Sequence, residues 1–354
     1  MKIGLGLYRH MLTPENFRFA HQAGATHIVA HLVDYFATGP RIPSAQDDGW
    51  GLAGGGMEIW EPDNLYALKR SIENEGLEIA AVENLDPTQW HDILLDGPRR
   101  DEQIEIVKSI IRAFGEVGIP MLGYNFSIAG VWGHVEGAYA RGGALSVGFL
   151  GSDGPKENPI RNGMVWNMIY DPDAPVGTLE PITHEQLWSR FEFFLNAVLP
   201  VAEEAGVKLA LHPDDPPMPT LRSTPRLVYQ PHFYQRVLDI KPSPSNTLEF
   251  CIGSLSEMTE GDVYEAVDVY SHQQAIGYVH FRNVRGKVPS YREVFVDEGD
   301  VDMIRVVRIL NANGFDGVLI PDHTPQMTCD APWHAGMAYA MGYMRAILNM
   351  IEAS

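Results

Sequence analysis

The distribution of apolar and polar positions repeats one pattern from near the first residues of the chain almost to the last. Short runs rich in β-branched and other apolar residues alternate with longer stretches in which apolar residues recur at helical spacing. Eight of the short runs are predicted to be strands, at residues 2–8, 27–33, 78–84, 121–126, 208–213, 246–253, 275–284 and 317–323. Eight strands that alternate with helices predict an α/β fold, a single (β/α)₈ TIM barrel, with an open doubly wound sheet as the alternative.

Helix start and stop signals lie between these strands. The first predicted helix has Thr13 as its capping residue and Pro14 in its first turn, and it ends before Gly24. Further helices are predicted at residues 62–74, 99–117, 183–205, 301–313 and 333–351. The sequence contains no recognisable internal repeat or interdomain linker, so residues 1–354 are interpreted as one barrel domain.

One segment, residues 127–181, interrupts the alternation because it separates the fourth strand from its helix. It is rich in glycine, proline and aromatic residues, and a loop of this length in a compact domain is usually functional or disordered. Its position after the carboxyl end of a strand places it over the mouth of a barrel, where we expect it to act as a lid. A surface insertion or an oligomer contact is the alternative interpretation, and we expect a homo-oligomer.

Composition narrows the possible function classes. Hydrophobic residues make up 45% of the 354 residues and charged residues 20%, which is typical of a folded globular protein. Acidic residues outnumber basic ones by 46 to 26, and the resulting formal charge of -20 disfavours binding to nucleic acids or anionic membranes. The sequence has no signal-peptide pattern and no apolar run of transmembrane length, and its two cysteines are too few for a disulfide scaffold. These features predict a cytoplasmic protein.

The last four predicted strands each end in a side chain that can bind a metal ion. In a (β/α)₈ barrel the carboxyl ends of the strands meet around one mouth, so residues far apart in sequence become neighbours there. Two imidazoles, a thiolate and a carboxylate form a ligand set suited to a divalent cation, and their chemistry leaves Zn²⁺, Fe²⁺ and Mn²⁺ open. These candidate ligands are His212, Cys251, His280 and Asp322, whereas Cys329 lies several residues beyond the eighth strand.

Several motifs of the chain resemble those of the D-mannonate dehydratase family. The most specific is the string HPDDPP at residues 212–217, which is preceded by a matching segment at residues 200–208. Shorter pieces match in the same order along the chain, at residues 124–126, 251–254, 280–282, 299–303 and 321–323. The resemblance extends over most of the chain from the fourth strand onward.

This resemblance implies a metal-dependent (β/α)₈ lyase of the xylose-isomerase-like group. Members of the family remove water from D-mannonate to give 2-keto-3-deoxy-D-gluconate, usually with Mn²⁺. The implied partner is therefore a small sugar acid, and the implied cofactor is a divalent metal, most often Mn²⁺. By matching motifs, the implied metal ligands are the same four residues that the strand ends indicate, namely His212, Cys251, His280 and Asp322.

The chain departs from the family pattern in loops that are expected to face the substrate. After Tyr-Asn-Phe the family typically continues with Trp-Thr-Arg-Thr-Asp, whereas this chain has a different sequence at residues 127–136. Tyr291-Arg292-Glu293 stands where the family has Phe-His-Glu, and Thr324 stands where a glycine commonly follows Pro-Asp-His. We therefore expect this protein to share the metal-dependent reaction of the family, whereas its substrate is expected to differ more readily from mannonate.

Dehydration of a sugar acid requires removal of a proton beside a carboxylate and loss of a β-hydroxyl group. A divalent ion and a positioned acid or base assist these steps. His323 is the first candidate for proton transfer, with orientation of Asp322 as its alternative role. Arg282 is a candidate for binding the substrate carboxylate, with a salt bridge to Asp214 or Asp215 as the alternative.

Four further residues are candidates for substrate binding. Asp214 and Asp215 either bind substrate hydroxyl groups or fix their loop, and of Tyr124 and Asn125 alternation allows only one to face the barrel interior. Two other functions stay open at this point. One is a sugar isomerase or epimerase on the same metal-dependent barrel, and the other is a catalytically silent, metal-stabilised sugar-binding protein.

Overall fold

Eight parallel strands form a closed barrel in which the strands follow one another in chain order. The computed structural model describes residues 1–36, 49–54, 56–151 and 158–352. The pairing of Lys2 with Val318 closes the barrel, so the predicted TIM barrel is confirmed and the open doubly wound sheet is wrong. The barrel strands are β1 (Lys2–Leu7), β2 (His27–His31), β3 (Glu78–Glu83), β4 (Met121–Tyr124), β5 (Lys208–Leu211), β6 (Asn246–Cys251), β7 (Ile276–His280) and β8 (Val318–Ile320).

Helices connect these strands, and several begin at residues that satisfy the free N–H groups of the first turn. The Thr13 side chain accepts a hydrogen bond from the Asn16 N–H at the start of the first helix, and Thr183 forms a capping box with Gln186. The helices of the described residues are α1 (Pro14–Gln22), α2 (Pro62–Asn74), α3 (Pro87–Leu95), α4 (Arg100–Val117), α5 (His184–Ala205), α6 (Phe233–Ile240), α7 (Ile252–Glu257), α8 (Val263–His272), α9 (Met303–Ala312) and α10 (Pro332–Glu352).

The sequence predicted six of these helices to within about two residues at each end, and it missed α3, α6, α7 and α8. The missed helices have between 6 and 10 residues. In so short a helix the apolar residues recur over fewer than three turns, so helical spacing is hard to recognise.

Two separate sets of buried apolar side chains fill the barrel region. The larger set, which includes Phe17, Leu211 and Phe250, packs the strands against the surrounding helices. The smaller set consists of strand residues such as Val29, Ala210 and Tyr278. Members of the two sets alternate along β2, β5 and β8, which places the smaller set in the barrel interior.

The long insertion after β4 forms a second sheet together with the loop after β7. Its hairpin, His134–Ala140 and Ala144–Leu150, is antiparallel, and the second hairpin strand pairs with Ser290–Val294. The fourth strand of this sheet is Asn283–Lys287. The sheet therefore joins two loops that are separated by more than 100 residues in the sequence.

The seventh barrel strand is shorter than the prediction of residues 275–284. It ends at His280, and the next extended segment belongs to the second sheet. Both segments are rich in β-favouring residues, so the sequence did not reveal the break between them. Among the described residues, no helix has the length and apolar character required to span a membrane.

Candidate active site

A cavity of about 650 Å³ lies at the carboxyl ends of the barrel strands. Aromatic side chains from the loops, among them Tyr35, Trp50 and Trp166, form part of its wall. Polar side chains from the strand ends and adjoining loops form the rest, and they include His31, Glu83, Asn125, His134, His212, Asp215, His280, Glu293, Asp322 and His323. The strand ends predicted to carry the chemistry therefore face one shared space.

Three of the four predicted metal ligands lie together at the base of this site. One potential ligand atom from each of His212, Cys251 and His280 lies within 4.8 Å of the others. The fourth, Asp322, contacts the same cluster, because its Oδ2 lies 3.4 Å from Nδ1 of His280. These four side chains follow or end β5 to β8, so barrel closure brings them together as the sequence predicted.

Electrostatics ionise the two acidic members of this cluster. Burial raises the pKa of the Cys251 thiol, but the positive charge of Arg282 and hydrogen bonding with His212 hold that pKa well below its usual range. Burial likewise raises the pKa of Asp322, and the neighbouring His323 and His280 outweigh it and keep the carboxyl ionised. Burial lowers the pKa of both imidazoles, but hydrogen bonding with Cys251 raises the pKa of His212 to about 9, and the charges of Asp322 and Glu83 raise that of His280, so binding of a divalent ion would release a proton from each ring.

Two buried glutamates beneath the cluster were missed by the sequence reasoning. Nε2 of His280 lies 3.1 Å from Glu249 and 3.3 Å from Glu83, and the Tyr278 hydroxyl donates a 3.0 Å hydrogen bond to Glu83. Alternation offered a signal for Glu249, because it lies two residues before Cys251 on the same face of β6. Gly123 of β4 makes this space available, since a Cβ atom there would collide with the Tyr278 hydroxyl and the Glu249 carboxylate.

Arg282 is surrounded by protein carboxylates. Its guanidinium donates to Asp215, to Glu257 at 2.7 Å and to Asp322 at 3.1 Å, and it lies 3.5 Å from Glu293. Its side chain is only 2% exposed and does not belong to the cavity lining. The predicted role as a binder of the substrate carboxylate is therefore corrected to the alternative, a salt bridge with Asp215, because neighbouring carboxylates already occupy its donors.

Two predicted substrate-binding residues also turn away from the cavity. The Tyr124 ring packs against the helix layer, with Phe194 at 5.6 Å between ring centres. Asp214 accepts hydrogen bonds from the Leu227 and Val228 N–H groups and forms a 2.9 Å ion pair with Arg226. Packing of the Tyr124 ring and ion pairing of the Asp214 carboxylate therefore stabilise the fold and keep both side chains away from the cavity.

Asn125 and Asp215, the neighbours of these two residues, do line the cavity. Strand alternation accounts for the contrast between Tyr124 and Asn125, because adjacent side chains point to opposite faces. Asp215 is held by the Arg282 guanidinium and accepts a 2.7 Å hydrogen bond from the Tyr291 hydroxyl. Of the four substrate-binding candidates, the structure thus brings Asn125 and Asp215 to the cavity.

His323 lies at the cavity wall between two carboxylates. Its Nδ1 is 2.7 Å from Glu293, and its Nε2 is 3.3 Å from Asp322. Burial lowers the pKa of His323, but these carboxylates outweigh burial and raise the pKa to about 10. The imidazole that was predicted to transfer protons is therefore held in its protonated form in the metal-free site.

The sequence matches the family described as D-mannonate dehydratase (UxuA) over residues 20–149 and 163–353. The chain belongs to the mannonate dehydratase family. The mannonate dehydratase of Streptococcus equi subsp. zooepidemicus is 32% identical over 276 residues, which are 75% of each chain. That of Oceanobacillus iheyensis is 33% identical over 279 residues, which are 75% of this chain and 78% of the relative.

Solved structures agree with this family assignment. The crystal structure of mannonate dehydratase from Streptococcus suis serotype 2 matches with a TM-score of 0.78 and 28% identity, covering 100% of this chain and 94% of that one. A D-psicose 3-epimerase of Clostridium cellulolyticum H10 matches with a TM-score of 0.59 and 11% identity, covering 98% of this chain and 99% of that one. The second similarity concerns the barrel fold alone.

Proposed function

We propose that this protein is a metal-dependent sugar-acid dehydratase that eliminates water to give a 2-keto-3-deoxy sugar acid. The observation that carries the proposal is the cluster of His212, Cys251 and His280, with Asp322 beside it, of which the two histidines and Asp322 line one cavity. Membership of a family of dehydratases supports the same conclusion. D-mannonate and related sugar acids are the proposed substrates.

The four clustered side chains are the proposed ligands of a divalent metal ion, most often Mn²⁺. Their donor set fits such an ion because it combines two imidazole nitrogens, a thiolate and a carboxylate within one buried pocket. When bound, the ion would stabilise negative charge on the substrate oxygens as the C2 proton leaves. Glu249 and Glu83, which face Nε2 of His280, would fix the orientation of that ring so that Nδ1 points to the ligand cluster.

The elimination needs a group that delivers a proton to the departing hydroxyl at C3. His323 is placed for this role, because it lies at the cavity wall and both its nitrogens face carboxylates that stabilise a proton on the ring. Asn125, which also lines the cavity, offers an amide for the substrate hydroxyls. These roles follow from position alone and form part of the proposal.

Residues 127–181 are the proposed lid of this site. Val131, Ser146 and Trp166 of this segment line the cavity, and its hairpin is tied to the loop after β7 by strand pairing. A lid that excludes water strengthens the electrostatic interactions within a site. We further propose that the protein works in the cytoplasm as a homo-oligomer with the barrel as its one domain.

A substrate screen tests the proposed function. Purified protein with added Mn²⁺ is incubated with a panel of aldonic and uronic acids, and both 2-keto-3-deoxy acids and epimerised substrates are quantified. The proposal expects a 2-keto-3-deoxy product that disappears when metal is removed. Epimerised substrate without elimination would instead identify an isomerase or epimerase, and binding without turnover would identify a sugar-binding protein.

A further inference from the structure

Two residues from different loops meet in space beside the cavity. Nε2 of His134, from the insertion, lies 2.7 Å from the hydroxyl oxygen of Tyr291, although 157 residues separate the two. The same hydroxyl donates a 2.7 Å hydrogen bond to Oδ1 of Asp215. The three side chains therefore form one hydrogen-bonded network with the Tyr291 hydroxyl at its centre.

The network fixes which nitrogen of His134 carries the proton. Burial raises the pKa of Asp215, but the adjacent Arg282 guanidinium outweighs burial and keeps this carboxylate ionised, so it accepts the Tyr291 proton. The Tyr291 oxygen can then accept a hydrogen bond only from an N–H group, which makes Nε2 of His134 the protonated nitrogen. In the neutral ring the lone pair is consequently on Nδ1.

The position of the His134 ring makes the lone pair on Nδ1 available to a molecule in the cavity. Among the described residues, the hydrogen bonds of His134 involve Nε2, and its side chain lines the cavity while being 4% exposed. The charged and titratable groups around it are Asp215, with Oδ1 at 3.6 Å, Tyr291, and the more distant Glu293, whose charge interacts with the ring. A carboxylate and a hydroxyl that hold one nitrogen of an imidazole orient the other toward a substrate, as in other carboxylate-backed histidines.

The geometry points to His134 as the general base of the elimination, an inference that rests on the proposed dehydratase function. Nδ1 of His134 accepts the proton from C2 of the sugar acid, and the C–H electron pair forms the C2=C3 double bond. The C3–O bond breaks at the same time, and the hydroxyl leaves as water with a proton from His323. The resulting enol becomes the 2-keto-3-deoxy acid when C3 takes up the proton that the His134 imidazolium returns and the enol hydroxyl at C2 gives its proton to His323, which restores both imidazoles.

His323 and His134 have opposite roles in this reaction, as proton donor and proton acceptor. Nδ1 of His323 is 2.7 Å from Glu293 and Nε2 is 3.3 Å from Asp322, and the two carboxylates stabilise a proton on each nitrogen, so this ring supplies a proton rather than accepting one. His134 has one nitrogen held by a hydroxyl and the other left for the cavity. Arg282 connects the two, since it contacts both Asp215 behind His134 and Glu293 behind His323.

Substitution of His134 tests the inference on the full-length, metal-loaded protein. In His134→Gln the amide can still hydrogen bond to Tyr291 but cannot accept a proton. We expect kcat to fall by about 10²- to 10⁴-fold while KM stays within a few-fold of the wild-type value.

In His134→Ala we expect added imidazole to restore part of the activity, and we expect Tyr291→Phe to lower kcat less than either His134 variant. The matched control is His272→Gln, the same change at an exposed position of α8, which should leave kcat unchanged.

The outcomes separate the inference from the proposed function. A wild-type protein that makes no 2-keto-3-deoxy acid from any substrate contradicts the proposed function itself. An active wild type whose His134→Gln variant keeps its kcat contradicts only the base assignment. A loss of activity in His134→Ala that imidazole does not restore, together with a lowered melting temperature, also overturns the assignment, because it indicates a structural role. If the His134 variants fail to fold, a Tyr291→Phe variant with unchanged kcat and pH profile overturns it.

Discussion

Nε2 of His280 lies 3.1 Å from Oε1 of Glu249, while Nδ1 of the same ring lies 3.4 Å from Oδ2 of Asp322. One imidazole therefore faces a buried glutamate with one nitrogen and the proposed metal cluster with the other. A carboxylate behind a metal-binding histidine fixes the ring orientation and increases its basicity. We therefore propose that Glu249 and Glu83 support the proposed metal site, although they lie outside the predicted ligand set.

Glu249→Gln should weaken metal binding. Burial and the charge of Glu83 raise the pKa of Glu249 well above its usual range, so Glu249 would have to lose a proton to face a metal-bound His280 as a carboxylate. The amide retains the shape of the side chain but cannot ionise, and we expect the dissociation constant for Mn²⁺ to rise by about 10- to 100-fold. Competition with a metal chelator measures this change. Glu260→Gln is the matched control, because Glu260 lies 3.9 Å from His232 in an exposed histidine–glutamate pair. Equal affinities of the two variants would show that Glu249 has no role in the metal site.

Removal of the metal should abolish activity without unfolding the barrel. Buried apolar side chains of the strands and helices hold the barrel together, so we expect a folded metal-free protein whose activity returns on addition of Mn²⁺. Elemental analysis should give one divalent metal per chain. Full activity of a metal-free sample would contradict the proposed cofactor.

The two cysteines should behave differently when substituted. Cys251 is buried among the proposed ligands and Cys329 is exposed, and both are free thiols. Cys251→Ser replaces a thiolate with a neutral hydroxyl and should weaken metal binding, whereas Cys329→Ser should bind metal like the wild type. Metal content after dialysis against a fixed chelator concentration provides the comparison. A similar loss in both variants, or in neither, would count against Cys251 as a ligand.

Gly123 should be the position at which a single methyl group disturbs the site. In Gly123→Ala the new Cβ atom meets the Tyr278 hydroxyl and the Glu249 carboxylate, and we expect a loss of about 1–3 kcal/mol in unfolding free energy together with weaker metal binding. Gly342→Ala in α10 is the control, because its Cβ atom meets nothing within 4 Å and should stabilise the helix by about 0.5–1 kcal/mol. Urea denaturation compares the two, and equal stability of the two variants would exclude the predicted collision.

D-mannonate should be turned over poorly compared with a related, larger or modified sugar acid. The polar segment that is expected after the fourth strand from the family resemblance is replaced here. The cavity wall instead carries an aromatic cluster, in which the ring centre of Trp50 lies 4.7 Å from that of Trp166 and 4.8 Å from that of Tyr35. A site that lacks hydrogen-bond partners for the hydroxyl groups of a substrate selects that substrate less strongly over its analogues. Values of kcat/KM for D-mannonate and a panel of acids decide the matter. A value of about 10⁴ M⁻¹s⁻¹ or more for D-mannonate, exceeding all others, would show that the replacements are neutral.

The sequence by itself determined the barrel and the neighbourhood of the proposed ligands. Apolar runs that alternate with helical spacing specify strands and helices locally, and barrel closure then brings all strand ends to one mouth. For this reason His212, Cys251 and His280 could be expected together before any coordinates existed. All eight predicted strands extended about one to four residues past their observed ends, because strand ends are the part of an element that local sequence defines least well.

Only the tertiary structure determined which side chains line the candidate active site and which stabilise the fold. Alternation showed that Tyr124 and Asn125 face opposite sides, but the packing of Tyr124 against Phe194 settles which one reaches the cavity. Arg282 could have bound a substrate, but its partners Glu257 and Asp215 come from α7 and from the loop after β5. Such contacts depend on three-dimensional distances between segments that are remote in sequence, and local residue preferences carry no information about them.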